Sequence, residues 1–267
     1  GFADKTGVSK MLKNFNTNLF QQEYASGLTP EKIATNHNLT QALVWAILLE
    51  GKNDLERFKL FGNKDYGTNE EGDPQPRLSD YWMFTKGDPR LGKQDYEGRL
   101  FGQQVINILY HYSRLGDLVV DPMAGGGVTV DACLVMNRRC RAYDIDPTKS
   151  ERKDIEQHDA REEYPKRAKP CDLIILDPPY YKKKEREYDR EFTENRGKFI
   201  ENMGRVAQNC FDALKKGGYL AFIFGQYIDQ ENEEGSILGW GELCERFTRL
   251  GFKGVLGVYT PLSFDTQ

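Results

Sequence analysis

The sequence predicts an α/β fold, a mainly parallel sheet covered by helices on both faces, preceded by a small all-α N-terminal region. Three observations predict it. From Asp80 onward, short apolar runs alternate with segments of helical period, the rhythm of strands joined by helical crossovers. Aspartates close successive runs, at Asp121, Asp144, Asp159 and Asp177. Ahead of them, Asn18 to Gly51 reads as helix, turn, helix, turn, helix.

A chain of 267 residues has room for one sizeable α/β domain and a small extension. The division read from it is a helical region at 1–60, a linker at 61–79 rich in Gly, Pro, Asn and Asp, and the α/β domain at 80–267. Lys+Arg of 37 against Asp+Glu of 41 give a net charge of -4, which argues against bulk attraction to a polyanion. A nucleic-acid partner then needs a local basic face. The cysteines form no CxxC pair, and His37, His111 and His158 are scattered, so no structural metal is expected and the protein reads as reduced and intracellular. The longest apolar stretch, Ala42 to Leu49, falls far short of the roughly 20 residues that span a bilayer. No membrane segment or signal peptide is expected, and an opening on Gly1 rather than Met reads as a fragment or a processed form.

In the N-terminal region Thr29-Pro30-Glu31 is a helix start, with Thr29 as N-cap, Pro30 at the first helical position and Ala34 on the packed side; Thr40 caps the next helix. The runs Leu28 to Ala34 and Leu39 to Val44 resemble the helix-turn-helix of bacterial DNA-binding proteins, including the central part of partition-protein-like domains. That resemblance implies DNA contact through Gln41. The structural alternative is a helical cap or dimer surface, because after Gln41 the helix reads Ala-Leu-Val-Trp-Ala-Ile-Leu-Leu, with few groups that hydrogen-bond base edges.

The α/β domain begins its strands with Leu118-Val119-Val120, followed by a glycine-rich turn and a helix from Val128 to Met136. Arg141-Ala142-Tyr143 leads to the strand end at Asp144, and further units close at Asp159 and Asp177. A helix from Lys198 to Lys215, an apolar strand from Tyr219 to Phe224, a helix from Leu238 to Leu250 and a strand from Gly254 to Tyr259 complete the expectation.

Two of these joints carry chemistry. Asp121-Pro122-Met123-Ala124-Gly125-Gly126-Gly127-Val128-Thr129 lies between the first strand and its helix, where glycines let the backbone approach a ligand and expose amide donors at a helix start. Alone, such a turn suits a dinucleotide or a tight bend; no Gly-Lys-Ser/Thr follows, so it is not a P-loop. Asp121 beside it repels a pyrophosphate and accepts from an ammonium such as that of S-adenosylmethionine, while Asp144 suits a ribose diol and Asp159 an adenine amino group. Further on, Asp177-Pro178-Pro179-Tyr180 closes the apolar run Leu173-Ile174-Ile175-Leu176. Two prolines can neither continue a ladder nor enter a helix interior, so a carboxylate and a ring are held beside the crevice at the strand's carboxyl edge.

With these residues the chain from Asp80 to Thr260 resembles the amino-group DNA methyltransferases, which methylate adenine at N6 or cytosine at N4. Gly116 to Thr129 resembles the family's cofactor motif and Asp177-Pro178-Pro179-Tyr180 its catalytic one, in the same order. Tyr96-Glu97-Gly98-Arg99-Leu100-Phe101, with the amphipathic helix through Tyr110, resembles the segment that packs over the methionine end of the cofactor; Phe101 replaces an expected proline and Met123 a commoner Phe. The resemblance implies a Rossmann-like S-adenosylmethionine-dependent methyltransferase sheet. It implies a cofactor seat at Asp121, Pro122, Met123, Ala124, Gly125, Gly127, Asp144, Ile145, Asp159, Ala160, Gly98, Arg99 and Phe101. DNA is the implied substrate, with a homodimer or a partner chain as further possibilities, in a prokaryotic cytoplasm or a phage setting such as restriction-modification.

The exocyclic amine of a base is a poor nucleophile because its lone pair is delocalised. By family analogy Asp177 and the Pro178 carbonyl accept its hydrogens, Pro179 fixes the turn, and Tyr180 stacks on a base that has left the duplex. The run Lys182, Lys183, Lys184 and Arg186 is either a solvated surface or a set of phosphate contacts. Pro170-Cys171 has the residues of a cytosine-C5 nucleophile but precedes its strand, at the opposite sheet edge, and reads as structural. Adenine is favoured over cytosine because Asp opens the tetrapeptide. The alternatives are cytosine N4, then RNA or a protein side-chain amide, and least a non-catalytic DNA-binding module.

Overall fold

The computed structural model describes residues 7–63, 65–77, 80–84, 86–179, 196–225, 227–228, 237–238, 240–258 and 260. Five helices come first: α1 (Gly7–Leu12), α2 (Thr17–Ala25), α3 (Pro30–His37), α4 (Gln41–Leu48) and α5 (Asp54–Phe61). The α/β part follows as α6 (Gly102–Tyr112), β1 (Leu118–Asp121), α7 (Val128–Val135), β2 (Arg139–Asp144), β3 (Ile155–Gln157), β4 (Cys171–Leu176), α8 (Arg196–Ala213), β5 (Leu214–Phe222), β6 (Tyr227–Ile228), β7 (Ile237–Leu238) and α9 (Trp240–Leu250).

The main sheet has the order β3-β2-β1-β4-β5 with every neighbouring pair parallel; β6 and β7 form a separate antiparallel pair. Val119, Leu173 and Ile175 face a core shared with α6 and α7, whereas Leu118, Val120, Ile174 and Leu176 face Phe199, Met203 and Val206 of α8 and Leu243 and Phe247 of α9. Strands buried on both faces explain why their sequences are continuous apolar runs instead of alternating ones. Strand order reverses between β1 and β4, which opens a crevice at their carboxyl ends.

The N-terminal helices start as their caps dictate: the Thr29 and Thr40 hydroxyls accept from the Lys32 and Leu43 amides, and Asn53 forms a capping box with Glu56. Their packing puts α4 in the core. Ala42 and Val44 to Leu49 are all buried, in the same core as α7 and the sheet, so α4 is a core helix and Gln41 stands half-buried at its start. Two buried arginines fasten this region to the end of α7. Arg57 donates to the Val135 carbonyl at 2.8 Å, and Arg138 pairs with Asp54 while donating to Ser113 Oγ at 2.9 Å and to the Leu109 carbonyl at 3.0 Å. Cations at a helix carboxyl end satisfy its last carbonyls and complement its dipole.

Three expectations need correction. The stretch read as a linker is packed: Tyr66 is fully buried and its hydroxyl bonds Asp88, whose carboxylate is gripped by Arg90 at 2.6 Å. Residues 254–258 form no strand; Gly254 and Gly257 weaken any extended segment there. Finally, β5 begins at Leu214, not Tyr219. Leu214 pairs with Cys171 and Tyr219 with Leu173, so Lys215-Lys216-Gly217-Gly218 is looped out between them, with Gly217 at φ +81.

Candidate functional site

The crevice is lined by what ends β1, β2 and β4. Asp121 is the last residue of β1, and Asp177 directly follows β4. Val120 pairs with Ile174, so these acids leave neighbouring strands at the same edge. Asp121 is 2% exposed, and burial pushes its carboxyl up to about 7, the Thr129 hydroxyl and the Met123 amide oppose this, and the nearby Asp144 adds to it. Its Oδ1 accepts the Met123 N–H at 3.0 Å. The Thr129 hydroxyl lies near enough to favour the carboxylate but outside hydrogen-bond geometry, leaving it buried with an unmet bond. After β4 the chain turns out through Pro178, which is buried, and Pro179, which is half-buried. Asp177 is half-buried as well.

Between Asp121 and α7 the turn is drawn tight. Pro122 and Ala124 are buried, and the Ala124 amide donates to the Tyr143 carbonyl at 2.8 Å. Gly125 and Gly127 have φ of +47 and +82, a region that L side chains rarely adopt. Asp144 closes the turn from β2: its Oδ2 accepts the Gly125 N–H and its Oδ1 the Asp146 N–H, each at 2.9 Å. Ile145, next to it, is exposed.

A strap formed by residues 91–96 crosses the turn. The Lys93 amide donates to the Gly126 carbonyl at 2.8 Å. A Cβ on Gly125 would lie 2.9 Å from the Tyr96 ring, and one on Gly126 would lie 2.8 Å from the Tyr96 Cβ. Beyond the strap, Gly98 has φ +74. Arg99 donates to the Asp88 and Leu91 carbonyls at 3.0 and 2.8 Å, and Phe101 opens α6 with its ring 6.0 Å from that of Phe84. These three shape the strap and its approach.

Asp159 lies past β3, held below the usual carboxylate range: burial acts to raise it, but the fork of Arg161, at 2.6 Å for the closest bond, outweighs that. Ala160 is buried. Cys171 starts β4, fully buried, with its thiol on the Ala213 carbonyl at 3.3 Å and pushed up to about 12, chiefly by burial. Tyr180, Lys182, Lys183, Lys184 and Arg186 lie outside the described residues. Among the described residues no helix is long and apolar enough to cross a membrane, and no cluster of His, Cys, Asp or Glu has the form of a metal site.

Two residues beside the turn carry no motif in the sequence. Asp131 on α7 is buried and accepts from Arg152, Nη2 at 2.8 Å and Nη1 at 3.0 Å. Arg152 also bonds Asp154 at 2.8 Å. Burial works against its charge, but Asp154 and Asp131 outweigh it and hold the guanidinium protonated. The only sequence signal was an acid in the first turn of a helix, which an ordinary helix start also supplies.

No family model matches the sequence, and no curated protein does. Among solved structures, the precorrin 8w decarboxylase of Methanobacterium thermoautotrophicum aligns at a TM-score of 0.35 with 17% identity, over 61% of this chain and 78% of that one. A likeness that weak says nothing about the chemistry here.

Proposed function

We propose that the protein is an S-adenosylmethionine-dependent DNA methyltransferase acting on an exocyclic amine, adenine N6 first and cytosine N4 second. One observation carries the reading: Asp121 with its glycine turn and Asp177-Pro178-Pro179 leave adjacent parallel strands at the reversal of strand order. A ligand that runs from the β1 turn toward Asp144 on β2 keeps its β1 end beside the proline turn that follows β4, which suits a donor and an acceptor of a transferred group.

The residues fit that cofactor. Asp121 is a buried carboxyl that needs a cation to hold it ionised at neutral pH, and an amino acid ammonium is one. The unmet Thr129 hydroxyl offers a further polar contact. Tyr96 and Arg152 take up the space that side chains at Gly125, Gly126 and Gly127 would need, and Asp144, at the end of β2, can accept from a ribose diol while it braces Gly125. Bound there, S-adenosylmethionine supplies a methyl group activated by a sulfonium.

The rest falls to the chain. Asp177 and the Pro178 carbonyl accept the two amine hydrogens, which turns the nitrogen lone pair out of conjugation and aims it. Pro178 and Pro179 hold that pair of acceptors with little backbone freedom. Tyr180 stacks on the extruded base, and the basic run at 182–186 meets the flanking phosphates.

The test is to incubate the protein with S-adenosylmethionine and unmethylated genomic DNA, digest to nucleosides and identify the product by mass spectrometry, with Asp177→Ala alongside. N6-methyladenine absent from the variant is the expected result. N4-methylcytosine changes the base and keeps the mechanism; no methylated base, with cofactor binding shown separately, sinks the DNA reading.

A further inference from the structure

The glycine turn is braced on two sides, and both braces end on one side chain. On one side, the strap places Gly92 against α7: a Cβ there would meet Val128 Cγ2 at 2.5 Å, and φ is +70. The Gly92 amide donates to Asp131 Oδ2 at 2.7 Å, and the next residue, Lys93, bonds the Gly126 carbonyl at 2.8 Å. On the other side, the stem of Arg152 lies against Gly127, its Cδ 2.6 Å from where a Cβ would be. The head of the same arginine is forked on Asp131, Nη1 to Oδ2 at 3.0 Å and Nη2 to Oδ1 at 2.8 Å. Lys93 adds a tie across the two sides, bonding the Lys149 carbonyl at 3.2 Å and Glu151 at 3.0 Å.

We propose that Asp131 is a positioning residue for the glycine turn, one carboxylate that fixes both the strap over Gly125 and Gly126 and the arginine beside Gly127, and thereby sets cofactor affinity without touching the cofactor. The inference rests on reading this turn as the S-adenosylmethionine seat. Its physical basis is that a buried, doubly used carboxylate has no substitute. An asparagine in the same shape, with its oxygen at the Oδ2 position, still accepts from Gly92 and from Arg152 Nη1, but its NH2 group then faces Arg152 Nη2 donor to donor, and it loses the charge that holds the guanidinium. Arg152 then relaxes toward Asp154, its partner on the outer side. Gly127 loses its wall and the turn gains freedom that binding must remove, a cost that appears in affinity and not in the chemical step.

A purely structural Asp131 behaves differently: its loss lowers thermal stability and the active fraction, so apparent kcat falls while KM for the cofactor stays. The experiment uses the full chain as wild type, Asp131→Asn, Arg152→Lys and Asp154→Asn. It measures S-adenosylmethionine affinity by calorimetry, steady-state KM and kcat, and amide exchange at 92–96 and 124–127. Asp131→Asn is expected to raise both Kd and KM for the cofactor about tenfold or more with kcat within about twofold, and to speed exchange in both segments. Arg152→Lys, which keeps the charge and loses the fork, is expected to weaken binding by a smaller factor, about threefold, and Asp154→Asn to leave it unchanged.

Equal affinity in wild type and Asp131→Asn, or a fall in kcat with KM unchanged, overturns the proposal alone. Should Asp131→Asn fail to fold, Arg152→Lys decides, and wild-type affinity in that variant overturns it. A wild type that binds no S-adenosylmethionine overturns the reading of the seat and this inference with it.

Discussion

Gly125 donates its amide N–H to Asp144 Oδ2 across 2.9 Å, so the last residue of β2 closes the turn that follows β1. The same carboxylate takes the Asp146 N–H with its other oxygen. Asp144→Ala leaves both donors without an acceptor, at about 1 kcal/mol net for each bond. The expected outcome is a cofactor Kd raised about tenfold or more, with Asp144→Asn, which keeps one acceptor oxygen, falling in between. Calorimetric titration checks it, and an unaltered affinity in the alanine variant removes Asp144 from the seat.

Binding is expected to depend on pH through Asp121. Its carboxyl sits at about 7 in the folded chain, so an incoming ammonium meets a neutral partner below that pH and a charged one above. Affinity for S-adenosylmethionine therefore falls about tenfold per pH unit below 7. Titrations between pH 5.5 and 8.5 in buffers of different ionisation heat read both the slope and the proton released. A flat profile removes Asp121 as the ammonium partner.

Stability should move the other way. The folded state keeps the Asp121 proton up to about pH 7, whereas the unfolded chain loses it near 3.8. Between those values the folded state binds more protons, so this residue's contribution worsens as pH rises and is fully unfavourable above 7, by on the order of 4 kcal/mol. Asp121→Asn is expected to melt above wild type at pH 8, with the gap closing by pH 4, while losing cofactor affinity. Melting curves at the two pH values suffice, and a variant less stable at pH 8 contradicts the assignment.

Asp177→Ala separates chemistry from binding. Removing an acceptor that meets the reacting amine is expected to lower kcat about 100-fold or more while leaving cofactor Kd within about threefold. Single-turnover methylation with calorimetry on the same preparation tests this. Loss of cofactor binding instead would place Asp177 in the seat.

Arg138 is fully buried and pairs with Asp54 from the N-terminal helices. Arg138→Met takes the donor from the Ser113 carbonyl and the partner from the Asp54 carboxylate, while the Leu109 carbonyl keeps the Ser113 amide and hydroxyl, and is expected to cost about 3 kcal/mol. Denaturant unfolding with the double-mutant cycle through Asp54→Ala measures it, and additive effects would show that the pair contributes nothing.

Strands β1 and β4 were legible in the sequence because burial on both faces writes them as apolar runs, and Asp121, Asp144 and Asp177 marked strand ends. Helix starts at Thr29 and Thr40 were legible because capping is local chemistry. The position of α4 was not: an all-apolar helix after a capped turn has the same local spelling whether it lies in a groove or in a core. The β5 start was missed because a looped-out Lys-Lys-Gly-Gly looks like the turn before a strand. Asp131 and Arg152 left no mark because the turn between β2 and β3 brings them together from positions that share no periodicity.

The placement of α4 beneath α7 has a consequence for how the protein can be taken apart. Trp45, Ile47 and Leu49 belong to the same buried cluster as Val135 and Leu173, so the helical region walls the core on the side of α7 and is not a portable piece. Exchanging it for another protein's DNA-binding module at residue 80 strips that wall away. Any redesign of this part has to leave that wall standing.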